Sequence, residues 1–263
     1  MSDRITKVTT ESWGTRLGKA VAGIGIGFVL VIGSIVGLAW NENRAVQTAR
    51  SLTEGAGAVI TLDDRGAAYD ENGDAVDTGG MLVHASGNVK GPVPTDTAIG
   101  GPSMPENATR LVRTVEMYQW EENQRSETRN KLGGGTETVT HYTYSQTWSA
   151  RPIDSGRFQD PTGHQNPPML IESDRFEVER NLVVGERTFT IPADRYGTVG
   201  TEQPLPVTDE QAGTMANALG TNLAVTNAGE TVYFGEDPAR PMVGDFRISY
   251  QAKTTDTASV VAA

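Results

Sequence analysis

Hydrophobic positions are spread unevenly along this chain, and their densest stretch lies close to the N-terminus. Residues 20–40 form a run of 21 positions without a charge. About 20 apolar residues cross the hydrocarbon core of a bilayer as a helix, because a helix satisfies its own backbone hydrogen bonds. Lys19 and Arg44 flank the run, and Trp40 stands where aromatic side chains meet lipid headgroups. The pattern predicts one transmembrane helix.

A cleaved signal peptide is the competing interpretation of this run, since Gly37 and Ala39 fit a small-x-small cleavage rule. Signal peptides have shorter apolar cores of about 7–15 residues, which favours a retained anchor. Four Lys or Arg residues precede the run and only Arg44 and Arg50 follow closely. This bias predicts that residues 1–19 are a short cytoplasmic tail and that the large domain is extracytoplasmic.

Small residues recur within the apolar run at a spacing that lets membrane helices approach closely. The positions predicted to pack against another membrane helix are Gly23, Gly27, Ser34 and Gly37. The alternative is that glycine is simply common in membrane helices. After the run, Ala45, Val46, Ala49 and Leu52 fall at helical spacing. Residues 41–55 are therefore predicted to be a juxtamembrane helix that continues the anchor.

The strongest strand pattern covers residues 111–149. Val115, Met117 and Gln119 alternate with polar and aromatic neighbours, and Tyr144 and Trp148 share one face on the return. Three consecutive glycines at 133–135 can supply the turn. These features predict a long two-stranded hairpin with aromatic side chains packed across the strands.

The other elements of residues 56–263 are short. Alternation or β-rich composition predicts strands at 58–62, 81–89, 174–178, 187–191, 223–225, 231–234, 245–251 and 259–263. Asn72 and Gly73 predict a hairpin turn. Thr208 and Gln211 form a capping-box pattern before a helix that ends at Gly220. The predicted fold class is α+β: a β-rich extracytoplasmic domain with long hairpins and one or two short helices, plus one N-terminal transmembrane helix.

Charge and composition narrow the possible partners. The 263 residues carry a net charge of −11; residues 1–40 contribute +2 and the remainder −13. Such an acidic body argues against nucleic acid, whose phosphates require a basic surface. The chain has no cysteine, so disulfides, thiolate metal sites and thiol nucleophiles are excluded.

Candidate chemistry is sparse. His84, His141 and His164 are the only histidines, and no Gly-x-Ser-x-Gly or His-Glu-x-x-His motif occurs. Asp70, Asn72 and Asp74 resemble calcium ligands, but Ala75 stands where an EF-hand loop needs glycine. Structural roles are favoured for all three histidines. We therefore expect no catalytic residue, no cofactor and no metal.

Six segments together resemble the transmembrane protein 43 family, also called LUMA, in order and spacing across nearly the whole chain. They are WNENRAVQTARSLTEGAG after the apolar run, LVHASG at 82–87, VEMYQWEE at 115–122, YTYSQTW at 142–148, GHQNP at 163–167 and VGDFRISY at 243–250. The motif positions expected to be structural are Trp40, Asn41, Glu42, His84, Tyr118, Trp120, Trp148, Gly163, His164, Asn166, Pro167, Gly244 and Asp245.

The resemblance implies a protein with four membrane helices and a large domain between the first two. Eukaryotic members reside in the endoplasmic reticulum and inner nuclear membrane, self-associate, and are linked to emerin, lamins and nuclear envelope organisation. The last three helices are absent here, which suggests a C-terminally truncated chain. The composition suggests a bacterial member, with the domain on the periplasmic face of the inner membrane.

Three functional hypotheses remain. The favoured one is a noncatalytic membrane scaffold that self-associates as a homo-oligomer and binds other membrane proteins, with the lipid bilayer as its first partner. An extracytoplasmic ligand-binding or sensor module is the second, and an aromatic-lined pocket would favour it. A membrane-anchored hydrolase is the third; it would need a cleft in which His164 meets a carboxylate.

Overall fold

A computed structural model describes residues 4–262 of the chain. Residues 1–3 of the predicted tail and Ala263 of the predicted domain lie outside the described residues. The chain divides into two compact units. The first, called the helix–hairpin unit, contains the residues up to Gly57 together with Glu121–Ser145 and Ser155–His164. The second, called the sheet unit, contains Ala58–Trp120, Gln146–Asp154 and the residues from Gln165 onward.

The described residues form thirteen strands, three α-helices and a short 3₁₀ turn at Ser155–Arg157. The helices are α1 (Trp13–Ala58), α2 (Ala193–Tyr196) and α3 (Asp209–Leu219). The strands are β1 (Arg4–Glu11), β2 (Ile60–Thr61), β3 (Val83–Lys90), β4 (Ala108–Asn130), β5 (Thr136–Ser149), β6 (Asp174–Glu177), β7 (Arg180–Val184), β8 (Arg187–Ile191), β9 (Thr201–Leu205), β10 (Val225–Asn227), β11 (Thr231–Phe234), β12 (Phe246–Thr254) and β13 (Thr257–Ala262). The predicted β-rich α+β class with one long N-terminal apolar helix is confirmed.

Helix α1 runs without interruption for 46 residues and contains no buried side chain. At 1.5 Å per residue it is about 69 Å long. The predicted membrane segment 20–40 and the predicted juxtamembrane segment 41–55 are parts of this one helix. Gly55 was expected to end it, but the helix continues to Ala58. A single glycine lowers helix propensity by only about 1 kcal/mol, which helical neighbours can offset.

In the helix–hairpin unit, the distal part of β4 pairs with β5 as predicted. Gly133 and Gly134 at the turn have φ angles of +98° and +82°, a region that favours glycine. Side-chain hydroxyls meet across the hairpin, with Ser126 and Thr140 2.8 Å apart.

Strand β1 was not expected, because Arg4–Glu11 is polar on both faces and gives no apolar alternation. It pairs antiparallel with β5 over its full length, from Arg4 opposite Thr143 to Glu11 opposite Thr136.

In the sheet unit, β4 pairs with β12, β12 with β11, and β11 with β10, all antiparallel. Short strands β6 and β9 extend this sheet by pairing with β4 and β12. Helix α3 covers one face and buries Ala212 and Met215 in the core. Its predicted capping box is present: the Thr208 hydroxyl accepts from the Gln211 backbone N–H, and the Gln211 side chain accepts from the Thr208 N–H.

A second sheet of the same unit has the order β13-β3-β7-β8, with β2 parallel to β3. Its core buries Ala85, Leu182 and Tyr196 completely. Strands β7 and β9 and helix α2 were not predicted. Strand β7 begins with a charged residue, Arg180, and β9 contains Pro204, which cannot donate a backbone hydrogen bond.

A buried ion pair fastens the Pro- and Gly-rich loop of residues 91–107 to the first sheet. The Asp96 carboxylate is fully buried and accepts from the Arg113 guanidinium and, at 2.7 Å, from the Tyr250 hydroxyl. Arg113 also donates twice to the carbonyl oxygen of Glu172, at 3.1 and 3.0 Å. Burial and then the hydrogen bond to Asp96 raise the pKa of Tyr250. The network joins the loop of Asp96 to β4 and β12 directly, and to the segment of Glu172 through Arg113.

We expect Asp96→Asn to lower the free energy of unfolding by about 3–5 kcal/mol, because it removes the buried counter-charge of a buried guanidinium and leaves only the exposed Asp174 carboxylate at 4.0 Å. Urea unfolding of the full chain in detergent, followed by tryptophan fluorescence, measures the change. Arg125→Gln is the control, since Arg125 is exposed and pairs with Glu127 at 4.0 Å; its effect should stay below about 1 kcal/mol. Equal losses in the two variants would contradict a stabilising role for the buried pair.

Candidate functional site

The predicted helix-packing residues lie on one face of α1. At 3.6 residues per turn, Gly23, Gly27, Ser34 and Gly37 fall within an arc of about 80°. A Cβ atom added at any of the three glycines would meet nothing within 4 Å, so this face is open. The Ser34 hydroxyl donates to the Val31 carbonyl at 2.8 Å, which satisfies its donor within the helix. Leu30 lies within the same arc and is 65% exposed, so this face combines small residues with one large apolar side chain and presents little polarity.

The first motif of the chain lies at the end of the apolar run. Trp40, Asn41 and Glu42 are consecutive positions on α1, and the Trp40 side chain is 72% exposed. An exposed tryptophan that ends an apolar run is suited to a membrane interface.

Three of the predicted motif positions in the sheet unit meet through backbone hydrogen bonds between β4 and the residues before β12. The Tyr118 N–H donates to the Asp245 carbonyl at 2.8 Å, and the Gly244 N–H donates to the Tyr118 carbonyl at 2.9 Å. Gly244 has a φ of +102°, and a Cβ there would lie 3.2 Å from Pro167. The positive φ favours glycine at this position, and a side chain there would also press against Pro167.

The Asp245 carboxylate fixes the turn that leads into β12. It is 6% exposed and accepts from the Tyr233 hydroxyl at 2.5 Å and from the Met242 N–H at 2.7 Å. Burial, followed by the hydrogen bond to Asp245, raises the pKa of Tyr233. Gly235 allows this approach, because a Cβ there would lie 2.5 Å from the Asp245 carboxylate carbon.

Trp148 is the centre of an aromatic cluster on the same sheet. Its ring lies 5.3 Å from Tyr118 and 6.2 Å from Tyr233, measured between ring centroids. The Arg247 guanidinium lies over the Trp148 ring at 4.4 Å and donates to Glu116 at 2.7 Å. Sequence reasoning named neither Tyr233 nor Arg247 in this role, although Arg247 lies within a recognised motif. Only the register of β12 against β4 places Arg247 opposite Glu116.

Asn166 bridges segments that are distant in sequence. Its side-chain oxygen accepts from the Trp120 N–H at 2.7 Å, and its amide donates to the carbonyls of Trp120 and Ile153. Buried Gln119 adds a parallel link, since it accepts from the Ile153 N–H and donates to the Arg151 carbonyl. These amides stabilise an irregular segment whose backbone would otherwise lack partners in the sheet.

His164 belongs to the helix–hairpin unit and is 3% exposed. Its ring stacks on Tyr144 with centroids 3.9 Å apart, and its Nδ1 lies 3.1 Å from the Asp160 carbonyl oxygen. The Tyr144 hydroxyl donates to Glu122 at 2.8 Å and accepts from the Asp160 N–H at 2.9 Å. Gly163, with a φ of +78°, precedes His164 in the turn. These contacts hold the loop that contains Asp160 and His164 against Tyr144 of the hairpin.

The other two histidines occupy different strands. His84 is half-buried in β3, between Thr61 of β2 and Val261 of β13. The His141 Nδ1 lies 3.1 Å from the Thr6 hydroxyl, on the paired strands β5 and β1. Within residues 4–262, no group of three or more histidine, aspartate or glutamate side chains is arranged to hold a metal ion.

The segment with a resemblance to calcium loops is a hairpin turn, as Asn72 and Gly73 predicted. The Gly73 N–H donates to the Asp70 carbonyl, and Gly73 has a φ of +86°. The Asp70 carboxylate accepts the N–H groups of Asn72 and Asp74, both at 2.9 Å. The Asp74 N–H is the main cause of the lowered pKa of Asp70. The chain's own backbone amides thus bind this carboxylate.

Comparison with known proteins identifies the family. A family model described as Transmembrane protein 43 matches residues 117–263, more than half of the chain. The chain belongs to the transmembrane protein 43 family. Proteins named Transmembrane protein 43 from Rattus norvegicus and Mus musculus are both 29% identical to it, over 238 and 252 residues. The protein of that name from Homo sapiens is 27% identical over 237 residues.

These alignments cover most of this transmembrane protein 43 chain and about half of each relative. They include 89% of the chain and 54% of the rat and human proteins, and 93% of the chain and 57% of the mouse protein. The chain therefore spans about half the length of the curated relatives it matches. No solved structure matches it. The family resemblance of the sequence is confirmed; the roles of the individual motif residues remain predictions.

The stability of this transmembrane protein 43 chain depends on pH through the phenol of Tyr144. Burial, followed by the hydrogen bond to Glu122, raises the pKa of Tyr144 to about 12. An unfolded tyrosine titrates near pH 10, so the folded state favours the neutral phenol. The resulting stabilisation is complete below about pH 10 and is lost as the pH rises towards 12.

We expect Tyr144→Phe to remove one late-titrating phenol from the tyrosinate absorbance curve of the full chain in detergent. The difference between wild type and variant should lie well above pH 10, since the ordinary tyrosine pKa is about 10. Tyr142→Phe, on the same strand, is the matched control and should leave the Tyr144 titration in place. A difference curve centred at the ordinary tyrosine pKa would show that Tyr144 lacks this environment.

Proposed function

We propose that this chain is a noncatalytic membrane scaffold, which self-associates through α1 and presents its β-rich domain to other membrane proteins on the extracytoplasmic side. The observation that carries the proposal is the apolar run of α1. Its large side chains are exposed over residues 20–40, for example Phe28 at 69% and Leu38 at 68%. Such a surface is stable in lipid and unfavourable in water.

Self-association is supported by the form of the small-residue face on α1. Two small-xxx-small pairs, Gly23 with Gly27 and Gly33 with Gly37, lie along the apolar run. Lipid offers no hydrophobic driving force between helices, so close backbone approach at such positions is the usual source of attraction.

A noncatalytic role is supported by what the motif side chains contact. Asp245 and Asn166 bind neighbouring backbone N–H groups, and Tyr118 and Trp148 pack in a cluster that Arg247 covers. His164 is 3% exposed and stacked on Tyr144, so a substrate would have little access to its ring. These contacts favour a structural role for the motifs over the hydrolase alternative.

The extracytoplasmic orientation is supported by the distribution of charge. Arg4, Lys7, Arg16 and Lys19 precede the apolar run, whereas the residues after it carry a strongly acidic balance. Positively charged segments remain preferentially in the cytoplasm.

We expect Gly27→Leu combined with Gly37→Leu to lower the yield of crosslinked oligomer in native membranes. Leucine at both positions would keep two helix backbones apart, while leaving the monomer undisturbed because nothing lies within 4 Å of either site. Amine-reactive crosslinking followed by gel electrophoresis measures the yield. Gly25→Leu is the control, because Gly25 lies outside both small-residue pairs. An unchanged yield in the double variant would remove α1 packing from the proposal.

We expect a cysteine at Glu71 to react with a membrane-impermeant maleimide from the extracytoplasmic side only. Glu71 is exposed, and the wild-type chain has no cysteine to give background. A cysteine at Thr9 serves as the matched control and should react only after the membrane is permeabilised. The reverse pattern would invert the proposed orientation.

A further inference from the structure

Strand β1 is attached to the hairpin and to the segment after it by side chains as well as by backbone pairing. The Thr6 hydroxyl lies 3.1 Å from the His141 ring of β5, and Lys7 donates at 3.2 Å to Gln159, which follows the hairpin. At the start of α1, Arg16 donates to the Gly134 carbonyl at 2.8 Å. Trp13 packs against the same turn, since a Cβ at Gly134 would lie 2.8 Å from its ring. The N-terminal strand and the hairpin tip therefore form one three-stranded assembly.

The order of these elements along the chain conflicts with a membrane-spanning α1. Strand β1 ends at Glu11, before the apolar run, and β5 begins at Thr136, after it. Between these two points the structure contains one helix long and apolar enough to cross a membrane, α1 itself. A single crossing places β1 and β5 on opposite faces of the bilayer.

An arrangement in which the hairpin enters the lipid to reach β1 is excluded by the polarity of the hairpin. Its outgoing strand over residues 121–130 reads EENQRSETRN, and the last eight of these ten positions are exposed. Arg125 and Arg129 have side-chain exposures of 84% and 76%. Charged side chains and an open strand edge are strongly unfavourable in hydrocarbon.

We propose that pairing of β1 with β5 and insertion of α1 into the bilayer exclude each other, so that β1 leaves the hairpin when α1 becomes transmembrane. The inference rests on the membrane anchor of the proposed function. The paired arrangement belongs to the chain before insertion, when β1 covers the edge of β5. Insertion exposes the backbone groups of residues 136–143 on one side of the membrane and transfers β1 to the other. An unpaired strand edge is able to accept another strand.

Disulfide trapping in the full chain tests this inference, because the wild type has no cysteine. Thr6→Cys with His141→Cys reports the β1–β5 pair, whose positions are opposite in register. Ser126→Cys with Thr140→Cys reports the hairpin alone, since these hydroxyls are 2.8 Å apart and both residues follow α1. After mild oxidation, a polyethylene-glycol maleimide counts the remaining thiols of each chain on a gel.

Each cysteine pair is examined in two backgrounds. In the first, α1 is unchanged and only chains that resist alkaline carbonate extraction are analysed, so all are membrane-integrated. In the second, Ile26→Arg with Leu30→Arg places two charges in the apolar run and prevents insertion. The hairpin pair should form in both backgrounds. The β1–β5 pair should be lost in the integrated chains and should form in the insertion-blocked chains.

The outcomes separate this inference from the anchor itself. Formation of the β1–β5 disulfide within integrated monomers, at the level of the hairpin control, would overturn the inference and leave the anchor intact. Failure of that disulfide in the insertion-blocked chains, with the hairpin disulfide present, would also overturn it. Complete extraction of the unchanged chain by carbonate would overturn the anchor, and the inference with it.

Discussion

The anchoring of this molecule depends on one interaction, the transfer of an uncharged helical segment from water to lipid. Residues 20–40 of α1 expose apolar side chains throughout, and no other element of the described chain packs over them. The sheet unit has its own two buried cores and needs no lipid to account for its packing. The apolar helix and the two sheet cores are therefore suited to different surroundings: lipid for the helix, and the protein's own interior for the cores.

Pairs of a carboxylate and a tyrosine recur where irregular segments meet the sheets. Tyr250 donates to Asp96, Tyr233 to Asp245 and Tyr144 to Glu122, at 2.5–2.8 Å. In each pair the acceptor also binds another donor, a guanidinium or a backbone N–H. A phenol can bury its ring in the core while its hydroxyl reaches a carboxylate at the boundary. This arrangement explains how a chain with 30 glycines and no disulfide keeps its long loops in place.

Elements with a strong local signal could be predicted, and those stabilised by distant partners could not. The hairpin turn at Gly133 and Gly134, the capped helix α3 and the Asn72–Gly73 turn all follow from residues close in sequence. Strand β1 has no apolar face, so only its partner β5 reveals it. The motif segments were recognisable, but their convergence depends on the pairing of β4 with β12, which also brings in Tyr233 and Arg247. Tertiary pairing of this kind leaves little trace in local periodicity.

The uninterrupted course of α1 beyond the apolar run has a mechanical consequence. Residues 41–54 contain neither glycine nor proline, so the helix lacks a hinge between Trp40 and Glu54. At 1.5 Å per residue this segment is a stiff helical rod about 20 Å long. A tilt or rotation of the apolar run within a membrane would therefore be transmitted along this segment to the C-terminal end of α1.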